Sequence, residues 1–114
     1  MQLLKMNFKA DESLVSVIMP SYNCGEYVEE TIRSVQEQTY QNWEILFVDD
    51  CSTDETVKLV SELSEKDTRI RLFQNQVNSG AALSRNHALR KAKGKWIAFW
   101  IVMTSGSLES WRNR

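Results

Sequence analysis

Short, continuous apolar runs alternating with segments of helical periodicity are the feature that most restricts how this chain can fold. Val15-Ser16-Val17-Ile18-Met19 is rich in β-branched residues and stops at Pro20. Glu44-Ile45-Leu46-Phe47-Val48 is closed by Asp49-Asp50, residues 69–73 form a third run, and a fourth begins at Lys95. Runs this short and this uniformly apolar predict strands buried on both faces. Between them, Val28, Ile32 and Val35 recur at helical spacing from Glu26 to near Gln38, and Val57, Val60 and Leu63 do so after Ser52. Residues 81–93 give a third helical stretch, ended by Gly94. Ser52-Thr53-Asp54-Glu55 has the Ser-x-x-Glu form of a capping box for the second helix. Strand–helix alternation of this kind predicts βαβ units: an α/β fold with a Rossmann-like parallel sheet and flanking helices.

In such sheets ligands bind beyond the carboxyl ends of the strands. The expected site is therefore residues 20–25, 49–53 and 75–80, with whatever follows Phe99. At 114 residues the chain has the length of one domain. Fourteen Lys and Arg against fifteen Asp and Glu give a formal charge of −1, without the basic footprint of a nucleic-acid binder. Two cysteines, Cys24 and Cys51, are too few for a disulfide scaffold and fit a reducing, cytoplasmic setting. Residues 1–14 read as an N-terminal extension that carries acids and no long apolar stretch, unlike a secretory signal. The longest apolar run, residues 96–103, is far short of the ~20 residues of a membrane-spanning helix, so no transmembrane segment is expected.

Neither the Gly-x-Gly-x-x-Gly fingerprint nor the Gly-x-x-x-x-Gly-Lys-Ser/Thr loop is present, so a diphosphate would have to be held another way. A divalent metal on carboxylates is the obvious alternative. Asp49-Asp50 ends a buried strand, where alternation lets one side chain face the ligand crevice and the other a neighbouring element. The plainer reading is that both cap nearby amides. Tyr22 is placed either to stack on a base or to sit as a half-buried loop aromatic. Arg85 falls in the small-residue stripe Ala81, Arg85, Ala88 and Ala92. A buried guanidinium there needs a partner, and the acids ending the second strand are the ones the topology brings near; otherwise it snorkels to solvent. His87 reads as a lone histidine on a polar helix face, without a role.

Taken together, Val15-Ser16-Val17-Ile18-Met19-Pro20-Ser21-Tyr22-Asn23, Gln38-Thr39-Tyr40 and residues 44–56 resemble the family 2 glycosyltransferases of GT-A fold. Asn78-Ser79-Gly80, Ser84-Arg85-Asn86 and residues 92–99 continue the resemblance in register. It implies the N-terminal, nucleotide-binding half of a GT-A domain over residues 15–99, from an inverting transferase that uses a nucleotide-diphospho-sugar such as a UDP-sugar. By matching position, Pro20, Tyr22 and Asp50 would contact the nucleobase, with Asp49 in the same nucleotide-binding set and Asn23 shaping the loop. Gly80 and Arg85 would lie at the nucleotide pocket or just behind it.

The resemblance breaks at Trp100. The family pattern has Leu-Asp-x-Asp-Asp there, which holds Mg²⁺ or Mn²⁺ against the diphosphate, whereas this chain runs Trp100-Ile101-Val102-Met103-Thr104. Read one base earlier, the Phe99–Trp100 junction must give Leu, and the Trp100–Ile101 and Met103–Thr104 junctions must give Asp, whatever synonymous codons are used. The remaining junctions allow Leu-Asp-Ser-Asp-Asp-Leu-Trp-Lys-Pro, the expected continuation. Residues 100–114 are thus expected to be an out-of-frame tail, and the metal and the catalytic base to belong to sequence this chain lacks. A signalling receiver, suggested by Ile45-Leu46-Phe47-Val48-Asp49-Asp50, is excluded because no later strand-end Asp and Lys follow. The alternative is a non-catalytic, self-associating fragment. The apolar residues from Trp96 to Met103 predict a homodimer through the fourth strand or the tail.

Overall fold

The hydrogen-bonding direction of one central strand organises the computed structural model, which describes residues 13–100. Strand β1 (Val15–Ser21) pairs in parallel with β2 (Trp43–Asp49) on one side and with β4 (Trp96–Phe99) on the other. Strand β3 (Ile70–Gln74) adds outside β2, giving the order β3-β2-β1-β4. Helices α1 (Val28–Gln36), α2 (Thr56–Lys66) and α3 (Ala81–Lys91) connect them in sequence. The predicted α/β class and parallel sheet are both found.

Alternation along the central strands sorts side chains between two faces. Val15, Val17 and Met19 of β1 and Trp43, Ile45 and Phe47 of β2 pack with Val28, Ile32 and Val35 of α1 and Val60 of α2. Ile18 of β1 with Leu46 and Val48 of β2 pack on the opposite face against Ala88 of α3, with Leu89 and Ala92 beside it. Each large side chain so enclosed is worth about 1.5–3 kcal/mol relative to exposure. The chain order reverses beside β1, where α3 crosses to the other face. That is a topological switch point, with a crevice outside the strands' carboxyl ends.

Beyond shifts of a residue or two at the element ends, two local readings change, and Trp100 takes a place in the core. β1 runs through Pro20 to Ser21, with Pro20 opposite Val48. The Val15 N–H bonds Asn42 on the β2 side, whereas the Ile18 carbonyl accepts from Trp100 on the β4 side. Even-numbered residues of β1 therefore aim their backbone groups toward β4. The β4 ladder ends at Ile18 opposite Phe99, so a residue without an N–H is tolerated at position 20. The expected capping box does not form. α2 starts at Thr56, and Asp54 instead accepts from the Thr56 N–H at 3.0 Å and the Thr56 hydroxyl at 2.5 Å, while Ser52 turns back to Asp49. Finally, Trp100, assigned to the tail by sequence, is 4% exposed, belongs to the core and donates its N–H to Ile18. Residues 101–114, and with them the rest of the tail, lie outside the described residues.

The sheet's amino end is closed by one buried acid. Glu44 accepts from the Ser16 hydroxyl at 2.7 Å, the Lys93 N–H at 2.8 Å and Arg71 at 3.0 Å. Gly94 lies so close that a Cβ would meet Ser16 Oγ at 2.6 Å and the Leu14 carbonyl at 2.7 Å. Only glycine fits there.

Candidate functional site

Three loops leave the carboxyl ends of β1, β2 and β3, and each contains one residue in the left-handed backbone region. These are Asn23 (φ 51°), Cys51 (φ 66°) and Gly80 (φ 92°), and they are the positive-φ residues among those described. Strained backbone gathers where loops are shaped for function. Asn23 shows how it is held here: its N–H donates to Ser52 Oγ at 2.8 Å, and its Oδ1 accepts from the Thr53 N–H at 2.8 Å. A side chain of the first loop thus completes the turn of the second. Gly25 adds a further link, its N–H donating to Asp54 at 3.0 Å.

Asp49 and Asp50 take opposite directions, as strand alternation requires. Asp49 turns to its own loop, where Ser52 donates its N–H at 2.9 Å and its hydroxyl at 2.5 Å. Asp50 reaches the third loop and is 1% exposed. Its Oδ1 accepts from the Ser79 N–H at 2.7 Å and from Asn75 Nδ2 at 2.9 Å, and its Oδ2 from the Gly80 N–H at 2.8 Å. Asn78 Nδ2 bonds the Asp50 carbonyl at 3.1 Å. The loop that carries Gly80 is therefore wrapped around one carboxylate.

The remaining sequence candidates flank this arrangement. Tyr22 is half-buried and directly follows β1, Pro20 is half-buried within β1, and Arg85 is half-buried on α3, one residue past Ser84. Asp50 and Gly80 are in direct contact, and Asn23 joins the first two loops. The donors that hold Asp50, namely Asn75, Ser79 and Gly80, include two that the linear pattern did not single out. Asn75 also donates to Ser84 Oγ at 2.9 Å, and its Oδ1 lies 2.8 Å from His87 Nδ1. His87, read from sequence as idle, is half-buried beside Phe73.

Ionisation separates Cys24 from the loop acid Asp54. Burial pushes the Cys24 thiol up to about 11, against the hydrogen bonds from Ser21 and Thr56, so it stays protonated and non-nucleophilic near neutrality. Burial also opposes the charge of Asp54, but the Thr56 hydroxyl and N–H and the Gly25 N–H outweigh it and hold this carboxyl below its ordinary value. Cys24 and Cys51 are both free thiols. The divalent cation implied by the resemblance needs several acidic oxygens with lone pairs to spare. Among the described residues no group of three His, Cys, Asp or Glu could hold a metal ion, and the Asp49 and Asp50 carboxylates are occupied by protein donors. The described residues do not fit that ion. No helix among them is long and apolar enough to cross a membrane.

Comparisons with known proteins agree with this architecture. The chain is 48% identical over 86 residues to the putative teichuronic acid biosynthesis glycosyltransferase TuaG of Bacillus subtilis, covering 75% of this chain and 34% of that protein. It is 51% identical over 89 residues to the Escherichia coli UDP-Glc:alpha-D-GlcNAc-diphosphoundecaprenol beta-1,3-glucosyltransferase WfgD, covering 78% of this chain and 34% of that one. The chain thus spans about a third of the length of these curated relatives. Among solved structures, S. aureus TarS in complex with UDP-GlcNAc superimposes with a TM-score of 0.71 at 35% identity, over 77% of this chain and 26% of that one. The mannosyltransferase PcManGT of Pyrobaculum calidifontis, in complex with GDP-Man and Mn²⁺, does so with a TM-score of 0.70 at 32% identity, over 75% of this chain and 26% of that one. The family model for glycosyl transferase family 2 matches residues 16–100, a stretch that takes in the three loops, the Asp50 cradle and all of the sheet but Val15: this chain belongs to glycosyl transferase family 2.

Proposed function

We propose that the three loops at the carboxyl end of the sheet bind the nucleotide of a nucleotide-diphospho-sugar such as a UDP-sugar. The chain would then supply the donor-binding part of an inverting glycosyltransferase that moves the sugar to an acceptor hydroxyl. The observation that carries this reading is the convergence of all three left-handed residues on one sheet end around the buried Asp50. Pro20 and Tyr22 are assigned to the base; Asp50, buried and filled by Asn75, Ser79 and Gly80, is assigned with Asn23, Asp49 and Gly80 to the loop framework that shapes the pocket, and Arg85 to the nucleotide pocket or just behind it. Inverting transfer also needs a base to deprotonate the acceptor hydroxyl and a means of stabilising the leaving diphosphate. These are assigned to sequence outside the described residues, and nucleotide binding is the part assigned to residues 15–99.

Three narrower statements belong to the same proposal. Residues 1–14 are an extension, residues 15–99 the partial domain and residues 100–114 an out-of-frame tail. Two observations support the tail: the family match ends at residue 100, and the indole N–H of Trp100 is buried without an acceptor, as expected where the family places a leucine. Self-association through β4 is proposed because Trp96, Ile97 and Phe99 are 40%, 39% and 51% exposed on an edge strand. A cytoplasmic location is proposed on the two free thiols.

Calorimetric titration with UDP and with GDP tests the main reading. Binding that weakens at least tenfold in Tyr22→Ala supports it. No heat of binding from either nucleotide at millimolar concentration would overturn it.

A further inference from the structure

We infer that His87 is a positioning residue for this site, acting through Asn75 on the Asp50 carboxylate and on the loop that carries Gly80. The inference rests on the nucleotide-binding reading of the three loops. Asn75 uses every polar group it has. Its N–H donates to the Asp49 carbonyl at 2.9 Å, its carbonyl accepts from Cys51 Sγ at 3.3 Å, and its Nδ2 donates both to Asp50 Oδ1 and to Ser84 Oγ at 2.9 Å. Its Oδ1 is left to face His87 Nδ1 at 2.8 Å.

The chemistry of these groups leaves one assignment of protons. Both Asp50 oxygens accept from N–H groups of Ser79 and Gly80, and the Asn75 amide turns its nitrogen to the same carboxylate as a third donor. The Asn75 oxygen then faces His87, and Nδ1 of the imidazole must carry the hydrogen. Turned the other way, the amide would set an oxygen against the Asp50 carboxylate and lose the bond that links the second and third loops. His87 therefore selects the amide orientation that Asp50 requires.

The imidazole is itself held. Its ring centroid lies 5.7 Å from that of Phe73 at an interplanar angle of 50°. Ser84 and His87 are three apart on α3 and so share a helix face, from which one accepts from Asn75 and the other donates to it. The clamp ties α3 to the same carboxylate that receives the Ser79 and Gly80 N–H groups. Loss of the His87 donor frees Asn75 to rotate and loosens the cradle without emptying the core.

The test titrates UDP into the full chain and into His87→Leu and His87→Asn, alongside ¹⁵N spectra of the His87 ring and the Asn75 side-chain amide. Expected are a protonated Nδ1 in the native chain, UDP binding about threefold to tenfold weaker in His87→Leu, the worth of one neutral hydrogen bond, and recovery to within about twofold in His87→Asn, which restores a donor near Nδ1. A shift and faster exchange of the Asn75 amide protons should accompany the loss. Unchanged UDP affinity in His87→Leu, or a ring protonated only at Nε2, overturns the role of His87 while leaving nucleotide binding intact. A native chain that binds neither UDP nor GDP overturns the site reading and this inference with it. Should His87→Leu fail to fold, His87→Asn and the ring tautomer still decide.

Discussion

The two ends of the sheet each bury an acid near β2, and they use it differently. At the amino end, Glu44 meets the guanidinium of Arg71, the Ser16 hydroxyl and the Lys93 N–H, and Gly94 fills the remaining space so closely that no Cβ fits. At the carboxyl end, Asp50 gathers two loop N–H groups and an asparagine amide, all neutral, from the loop of residues 75–80. Among the described residues the amino end has none in the left-handed region, whereas the carboxyl end has three. One acid closes the structure; the other shapes loops around itself. Loops can be reshaped without disturbing the core, which is why a parallel sheet places binding at this end.

Breaking the amino end should damage folding most. Gly94→Ala would drive a methyl into the Ser16 and Leu14 backbone and is expected to cost roughly 3 kcal/mol or more, read as a lower denaturation midpoint in urea. Glu44→Gln should cost about 2–3 kcal/mol, since hydrogen bonds to a charged group are weakened and Arg71 loses its ion pair, keeping the Lys91 carbonyl. Burial by itself would raise the Glu44 carboxyl, but the Lys93 N–H, the Ser16 hydroxyl and Arg71 outweigh it and hold it below its ordinary value. A carboxyl lowered by folding contributes stability above its unfolded value and loses it as pH falls through the folded one. The gap between native chain and Glu44→Gln should therefore be full above about pH 5 and shrink in more acidic solution. A gap that stays constant down to acid denaturation would show that the charge of Glu44 is irrelevant.

At the carboxyl end the same kind of change should act on ligand more than on folding. Asp50→Asn keeps the shape but turns an acceptor into a partial donor facing the Ser79 and Gly80 N–H groups. UDP affinity is expected to fall about tenfold, which corresponds to about 1.4 kcal/mol. If Asp50→Asn instead unfolds the chain and leaves residual UDP affinity unchanged, the two ends are alike and the contrast fails. The smallest expected effect is that of Mn²⁺. With the Asp49 and Asp50 oxygens already engaged, adding it should change UDP affinity by less than about twofold, about 0.4 kcal/mol. A larger gain would mean that these carboxylates release their protein donors to a cation.

Much of the fold is legible in the linear sequence because buried parallel strands must be continuously apolar, as Val15 to Met19 and Ile45 to Val48 are. The errors arose where tertiary geometry overrides local pattern. Pro20 looks like a strand terminator until the direction of its missing N–H is known, and Ser52 looks like a helix cap until Asp49 and Asn23 are seen to claim it. The site followed the same division. Topology alone placed residues 20–25, 49–53 and 75–80 together, and Asp50 does meet Gly80. The link from Asp50 through Asn75 to His87 was illegible, because it joins a strand end, a loop and a helix face through side chains distant in sequence. An asparagine in a loop carries no mark that distinguishes a turn former from the centre of a network.

Backbone amide chemical shifts during a UDP titration decide whether nucleotide binds the carboxyl end of the sheet and not the amino end. Perturbations are expected at Tyr22 and Asn23, from Asp50 to Thr53 and from Asn75 to Arg85, with Ser16, Glu44, Arg71 and Gly94 unmoved. Shifts centred on Glu44 and Gly94, or spread evenly over both ends, would contradict binding at the carboxyl end.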